Sequence, residues 1–402
     1  MEYASEMKIA QISPLFESVP PKTYGGTERV VHYLTEELVR QGHDVTLFAS
    51  GDSRTSAKLQ TIIPEALRLS REPRDPTIWH TLQLAAVARQ AQQFDIIHFH
   101  TDYLHFPLWR QLRVPQLTTL HGRLDLPDLQ ALYAEFADMP LVSIARHQRS
   151  PLPMANWAAT VYNGVPETSY NWQPQAGDYL AFLGRFSPEK GPENAIKIAQ
   201  RAGIPLKMAA KIDPVDRDYF EARIKPHLAD PLIDYIGEVD EQGKNALLGG
   251  ARALLFPIAW PEPFGLVMIE AMACGTPVIA FRQGAVPEVM AEGISGYIVS
   301  SVEEAVSAVA RIDAIDRRAC RQYFETHFSA RRMAADYLAV YRRLIDARET
   351  RAQQQSERHF ETARSTVRMH RSGPAQQRVS GLPALGAQAE LPTPLDDGSH
   401  YG

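Results

Sequence analysis

Residues 253–281 constrain the fold more than any other stretch. Ala253-Leu254-Leu255-Phe256 is an apolar run of strand length, the loop Trp260-Pro261-Glu262-Pro263 follows, and residues 266–273 are apolar almost throughout. Each proline pushes its predecessor out of the α region, so the loop cannot be helical. Gly265 then opens a helix, and Gly275-Thr276-Pro277 closes it before a second apolar run, Val278 to Phe281. A buried strand, a helix and another buried strand make a βαβ unit, which implies a parallel sheet. Two acids interrupt this unit, Glu262 in the loop and Glu270 in the body of the helix. A carboxylate among Leu, Ile, Met and Ala lies either on a solvated stripe or toward a ligand. The helix alone does not separate the two.

The same grammar runs through the rest of the chain. Residues 8–13 predict an opening strand, and a proline-rich loop at 14–24 leads into Gly25-Gly26. Val30, Val31, Leu34, Leu38 and Val39 recur at helical spacing, and a second strand follows at 45–49. The glycine pair is not GxGxxG, so a dinucleotide fingerprint is poorly supported. Two glycines still let backbone approach a ligand, and a helix N-terminus offers N–H groups to phosphate. A tight strand-to-helix turn is the plainer alternative. Further strands are predicted at 94–100, 114–120 and 140–145. His121-Gly122-Arg123 comes directly after the second of these, at a strand end where open α/β sheets bind ligands. His98, His100, Asp102 and His105 have the chemistry of metal ligands, but no complementary cluster stands at metal spacing. Histidines facing a cleft or solvent are the stronger reading.

Residues 166–177 are polar and carry prolines, which suits a linker, and the pattern then restarts. A strand at 179–183 leads into a loop at 184–192 that holds Arg185 and Lys190 between glycines. Arginine can grip a phosphate bidentately and lysine can serve as a point charge, though a solvated loop would carry the same residues. More strands are predicted at 206–210, 233–237 and 296–299. Asp216 and Asp218 are expected in the first turn of a helix at 219–228, where the dipole favours carboxylates. A last amphipathic helix covers 329–347 and turns Met333, Tyr337, Leu338, Tyr341, Leu344 and Ile345 to one face. Beyond about residue 348 the chain is rich in Gln, Ser, Arg, Gly and Pro, which predicts a disordered tail.

Composition closes off several classes. At 402 residues, 45% hydrophobic and 22% charged, the chain can bury two full cores. A formal net charge of -5 advertises no general affinity for nucleic acid or anionic membrane. Cys274 and Cys320 lie far apart and match no metal or redox spacing, so free thiols in a reducing compartment are expected. The first residues lack the apolar core of a signal peptide, and no run of about 20 apolar residues occurs. A soluble, cytoplasmic protein is expected, with a peripheral membrane contact left open.

Several motifs in fixed order match one family. They are Gly25-Gly26, Gly42-His43-Asp44-Val45, His121-Gly122, Asn163-Gly164-Val165 and Gly184-Arg185 with Lys190-Gly191. Glu262 and Glu270 complete the set, with Pro-Phe-Gly-Leu between them and Ala-Cys-Gly-Thr-Pro-Val after. Over about residues 7 to 347 the chain resembles the retaining GT-B glycosyltransferases, specifically glycosyltransferase family 4. The resemblance implies an α/β chain with two Rossmann-like domains whose parallel sheets face each other across a cleft. Residues 1–168 would hold the acceptor and 169–325 the nucleotide-sugar donor. Residues 326–349 would be a helix crossing back to the N-terminal domain, with 350–402 the tail. The implied activity moves a hexosyl group from a nucleoside-diphosphate sugar, of UDP-glucose or GDP-mannose type, to a hydroxyl of a sugar, lipid-linked or small-molecule acceptor. It implies no metal or other cofactor.

Carried over position by position, Arg185 and Lys190 look like the diphosphate cations and Glu270 like the ribose acceptor. Glu262 is similar to the acid beside the donor sugar, and Phe264, Gly265 and Leu266 to the backbone donors near phosphate and sugar. Gly25 and Gly26 would approach the diphosphate from the other domain, and His121 looks like the cleft histidine near the transferred sugar. Two other readings fit the same architecture. One is a different enzyme, such as a nucleotide-sugar epimerase, or a glycan phosphorylase (for which no pyridoxal-binding lysine is evident). The other is a non-catalytic nucleotide- or glycan-binding module.

Overall fold

The structure is a computed structural model and describes residues 6–22, 25–112 and 114–371. Residues 23 and 24, at the end of the 14–24 loop, and the tail from 372 onward lie outside the described residues.

Two parallel sheets organise the chain. The first holds β1 (Lys8–Ile12), β2 (Asp44–Ala49), β3 (Lys58–Thr61), β4 (Ile96–Phe99), β5 (Gln116–Leu120), β6 (Leu141–Ser143) and β7 (Trp157–Thr160), in the order β3-β2-β1-β4-β5-β6-β7. The second holds β8 (Leu180–Arg185), β9 (Leu206–Lys211), β10 (Ile233–Gly237), β11 (Ala253–Phe256), β12 (Val278–Phe281) and β13 (Gly296–Val299), in the order β10-β9-β8-β11-β12-β13. Every pairing in both sheets is parallel. In each sheet the order reverses beside the first strand, between β1 and β4 and between β8 and β11. Loops leaving such a switch point diverge and open a crevice for ligand.

Alternation along the strands sorts the cores. Ala10, Ile12, Ile97, Phe99 and Leu120 pack in one cluster on one face of the first sheet. Ile9, Ile96 and Leu117 belong to another on the opposite face, which is continuous with the core of the second sheet. Gln11, His98 and Thr119 share this second face, two residues on from Ile9, Ile96 and Leu117. Tyr337 and Tyr341 of the helix Ala330–Arg371 meet them there: Tyr341 accepts a hydrogen bond from Gln11 Nε2 and shares one with His98, and Tyr337 shares one with Thr119. Both sheets lie within one compact unit, Met1–Arg348, and Glu349 begins a second.

Four expectations need correction. The last helix does not end near 347 but runs to Arg371, replacing the first part of the expected tail. Residues 346–371 contain neither glycine nor proline and are rich in Ala, Arg, Gln and Glu, which favour helix without any apolar stripe. The stretch expected to be a helix at 219–228 is broken into a turn at Arg217–Tyr219, a π-helical segment at Phe220–Ile224 and a 3-10 segment at Lys225–Ala229. Pro226 lacks the N–H that a regular helix would need there. A short edge strand, Lys58–Thr61, lies where no element was predicted; its mostly exposed residues carry no apolar signal. The helices Pro127–Glu135 and Arg317–His327 were not anticipated either.

Candidate active site

Three strand-to-helix loops of the second sheet build one wall of a cavity. Arg185 ends β8, and Lys190 ends the 3-10 turn Pro188–Lys190 just before the helix Pro192–Ala202. The Lys190 ammonium lies 2.5 Å from Glu262 Oε2, which also accepts a hydrogen bond from Trp260 Nε1 at 2.7 Å. Arg185 is flanked by Glu189 at 3.4 Å and Asp216 at 3.3 Å. Asp216 therefore faces Arg185, not the first turn of a long helix as expected. Asp213 is the residue that caps, accepting from the Val215 N–H at 3.3 Å.

The third loop carries the most distinctive local geometry. Gly265 has φ 83°, and a Cβ there would sit 2.8 Å from Met268 Cε and 2.9 Å from the Phe256 ring. Only glycine fits this left-handed, crowded position. Having no side chain, it leaves the helix Leu266–Ala273 without a side-chain cap, so the first N–H groups open toward the cavity. The helix is buried nearly all round, which leaves Glu270 only 4% exposed. Such a carboxylate needs a countercharge, and Lys244 Nζ supplies it at 2.6 Å.

The opposite wall comes from the first sheet. Gly25 and Gly26 begin the helix Gly26–Arg40, and a Cβ on Gly26 would meet Leu266 Cδ1 of the facing wall at 3.7 Å. His121 follows β5, and its Nε2 lies 2.9 Å from His100 Nδ1. Burial holds the His121 ring down to about 4, so it is neutral at physiological pH. His98, His100 and His105 are likewise pushed well below the ordinary histidine range by burial. His98 bonds Tyr341 and Thr119, His100 bonds His121 and Gln11, and His105 bonds Thr118. These histidines are thus parts of a hydrogen-bonded interior.

All ten residues carried over from the family resemblance line this one cavity of about 810 Å³: Gly25, Gly26, His121, Arg185, Lys190, Glu262, Phe264, Gly265, Leu266 and Glu270. Lys244, which also lines it, carried no functional signal in the sequence. Lys244 joins Glu270 to Glu241, 3.5 Å away, and Glu241 is gripped in turn by Arg29 and by Tyr33 at 3.0 Å. This chain of charges links the helix Gly26–Arg40 of the first wall to the second wall. The pairing of Arg29 with Glu241, 212 positions apart, is invisible to local periodicity. Glu288 makes a second bridge, accepting from the backbone N–H groups of Arg146 and His147 and from Tyr162. Asp102 also lines the cavity. It has φ 51° and is the sole non-glycine with positive φ among the described residues. No hydrogen bond engages its carboxylate among those residues, and burial raises it to about 6.

Two family models match the chain in tandem. The model described as Glycosyltransferase Family 4 matches residues 24–164, and the one described as Glycosyl transferases group 1 matches residues 172–323. Together they span well over half of it. The chain belongs to glycosyltransferase family 4. Phosphatidyl-myo-inositol mannosyltransferase of Mycobacterium leprae is 26% identical over 338 residues, 76% of this chain and 87% of the relative. Sucrose-phosphate synthase from Thermosynechococcus elongatus superimposes with a TM-score of 0.70 at 21% identity, covering 85% of this chain and all of that one. The Anabaena protein HepE in complex with UDP-glucose gives 0.63 at 15% identity, covering 86% and 100%. The family 4 chain is thus a glycosyltransferase of GT-B fold. Among its described residues, no helix is long and apolar enough to cross a membrane.

The cavity also carries a pH-dependent feature of this glycosyltransferase. Glu28, in the first turn of the helix Gly26–Arg40, is raised by burial from 4.5 to about 7. Between those values the folded chain keeps a proton that the unfolded chain has lost, so stability falls as pH rises through that window. Glu28→Gln should remove this loss. Its stability relative to the parent should rise by up to about 3 kcal/mol between pH 4.5 and 8. Denaturant titrations at both ends of the window measure the difference; a difference that does not change with pH would refute the assignment.

Proposed function

We propose that this glycosyltransferase moves a hexosyl group from a nucleoside-diphosphate sugar to an acceptor hydroxyl, with retention of configuration and without a metal ion. One observation carries the reading: Arg185, Lys190 and the uncapped N-terminus of Leu266–Ala273 converge on one wall of a cavity whose other wall is Gly25-Gly26 and His121. As the glycosidic bond breaks, negative charge develops on the leaving diphosphate. Two cations and a helix N-terminus are the groups that stabilise it, and they leave a divalent ion dispensable. Glu270 fits a ribose hydroxyl acceptor. Gly26 lets backbone approach the diphosphate, because only Leu266 stands near its missing Cβ.

Arg185 and Lys190 already hold carboxylates, so a diphosphate would compete with Glu189, Asp216 and Glu262 for them. Release of Glu262 from Lys190 would turn that acid toward the donor sugar. The acceptor oxygen then bonds the anomeric carbon on the face from which the leaving group departs. The carbon–oxygen bond to phosphate breaks with its electron pair, and the acceptor proton passes to the departing phosphate oxygen. UDP-glucose is the first donor to try, given the HepE complex, and GDP-mannose the second, given the mannosyltransferase relative. The acceptor, a sugar, lipid-linked or small-molecule hydroxyl compound, would enter beside Asp102, Tyr103 and Leu104 of the first sheet's wall. A panel of nucleotide sugars, assayed for donor hydrolysis with and without EDTA, tests the reading. Turnover of one donor undiminished by chelation is expected. Loss of turnover restored by Mg²⁺ or Mn²⁺ would overturn metal independence, and no turnover of any donor would favour a binding module.

A further inference from the structure

A single file of hydrogen bonds leads from the C-terminal helix to the cavity. Strand alternation sets it up. His98 and His100 are two residues apart along β4 and its end, Thr119 and His121 two apart along β5 and its end, and Gln11 lies on β1 between Ile9 and the loop. All five side chains fall on the sheet face where Tyr337 and Tyr341 pack. The contacts run from His121 Nε2 to His100 Nδ1 (2.9 Å), from His100 Nε2 to Gln11 Oε1 (2.9 Å), and from Gln11 Nε2 to the Tyr341 hydroxyl (3.0 Å). They continue from Tyr341 to His98 Nδ1 (2.7 Å), from His98 Nε2 to Thr119 Oγ1 (2.7 Å), and from Thr119 to the Tyr337 hydroxyl (2.9 Å).

With the Gln11 amide oxygen toward His100 and its nitrogen toward Tyr341, the file runs in one direction. An amide oxygen only accepts, so His100 Nε2 carries a hydrogen. A neutral imidazole has one N–H, so His100 Nδ1 must accept and His121 Nε2 must donate to it. At the other end of the amide, Gln11 Nε2 donates to Tyr341, whose own proton goes to His98 Nδ1; His98 Nε2–H then donates to Thr119 and Thr119 to Tyr337. Each of the six contacts then has one donor and one acceptor. Adding a proton to His100 Nδ1 would set it against the Nε2–H of His121, and the neighbouring His98 ring lies with its centroid only 4.0 Å from that of His100.

We propose that this file, anchored by Tyr341 and polarised by Gln11, holds His121 as the Nε2–H tautomer, so that its Nδ1 accepts a hydrogen bond from a substrate hydroxyl in the cavity. His121 Nδ1 bonds no other described residue and is not sealed from solvent. Reversing the Gln11 amide would reverse every bond and convert Nδ1 into a donor. Gln11, His100 and Tyr341 are therefore positioning residues: they select the hydrogen-bond role that His121 offers. The assignment of a hydroxyl as its partner rests on the sugar-transfer reading above, but the tautomer does not.

Protein labelled with ¹⁵N at histidine tests this by long-range imidazole correlation spectra, with His121 assigned from His121→Asn. The parent should show His121 and His100 each as a single Nε2–H tautomer without substrate. Tyr341→Phe removes the acceptor of the Gln11 amide and the donor to His98, so His121 should shift toward a mixture. Turnover should fall on the order of tenfold while KM for the nucleotide sugar changes less than about twofold. An Nδ1–H tautomer at His121 in the parent, or an unchanged His121 spectrum in Tyr341→Phe, overturns the proposal. Spectra as expected in a protein that turns over no nucleotide sugar would uphold the hydrogen-bonded file and remove only the donor reading.

Discussion

Lys190→Ala should lower the rate of sugar transfer by about 10²–10³, the scale on which one preorganised donor to a developing anion acts. The geometry sharpens this expectation. Lys190 is the partner of Glu262 at 2.5 Å and also sits 5.4 Å from the Trp260 ring centroid. Removing it takes one cation from the leaving group and leaves Glu262 held by Trp260 alone. Both changes raise the barrier when negative charge builds up on the diphosphate. The fold should tolerate the change, because the loop is set by Gly191 and the helix Pro192–Ala202, not by the ammonium. Initial rates with the active nucleotide sugar, with thermal melting as a control for folding, give the answer. A rate within a fewfold of the parent would remove Lys190 from the chemistry. Lys190→Ala combined with Glu262→Gln shows which part of the loss is unpaired carboxylate, since the second change neutralises it.

Much of this architecture is legible in the sequence because it is local. An apolar run of strand length, a loop with glycine or proline, and a helix with 3.6-residue spacing recur along the chain, and each marks one βα step. The cavity residues were legible for a related reason: Arg185 ends a strand, and Lys190, His121 and Glu262 lie in loops that follow strand ends, which a parallel sheet brings to one edge. What the sequence hides is pairing. Nothing local announces that Lys190 grips Glu262, that Asp216 faces Arg185, or that Tyr341 reaches His98 across 243 positions. The tail shows the opposite failure. Absence of an apolar stripe argued against order, yet helix propensity without glycine or proline carries the helix to Arg371.

Lys244→Met should destabilise the protein by about 3–5 kcal/mol, the cost of breaking a buried ion pair from one side. Lys244 lies between Glu270 at 2.6 Å and Glu241 at 3.5 Å and also donates to the Tyr170 hydroxyl at 3.1 Å. Without it, Glu241 keeps Arg29 and Tyr33, but Glu270 stays buried in an apolar helix and loses its direct cation partner, with Arg29 acting on it only at longer range. Burial works to raise Glu241, yet the charges of Lys244 and Arg29 outweigh it and hold that acid below its usual range, so the network is strongly coupled. A fall in melting temperature on the order of 5–10 °C is the expected readout. The double variant Lys244→Met/Glu270→Gln should recover more than half of it, because the stranded charge is gone. These variants also separate two roles for Glu270. A helix acid needs no ligand if a lysine explains it, so the ion pair alone does not place Glu270 at a ribose. If the double variant regains stability and still binds the nucleotide sugar as tightly as the parent, Glu270 serves the fold and links the two walls. If it regains stability but loses donor affinity by calorimetry, the carboxylate serves the ligand as well, with Lys244 holding it in place.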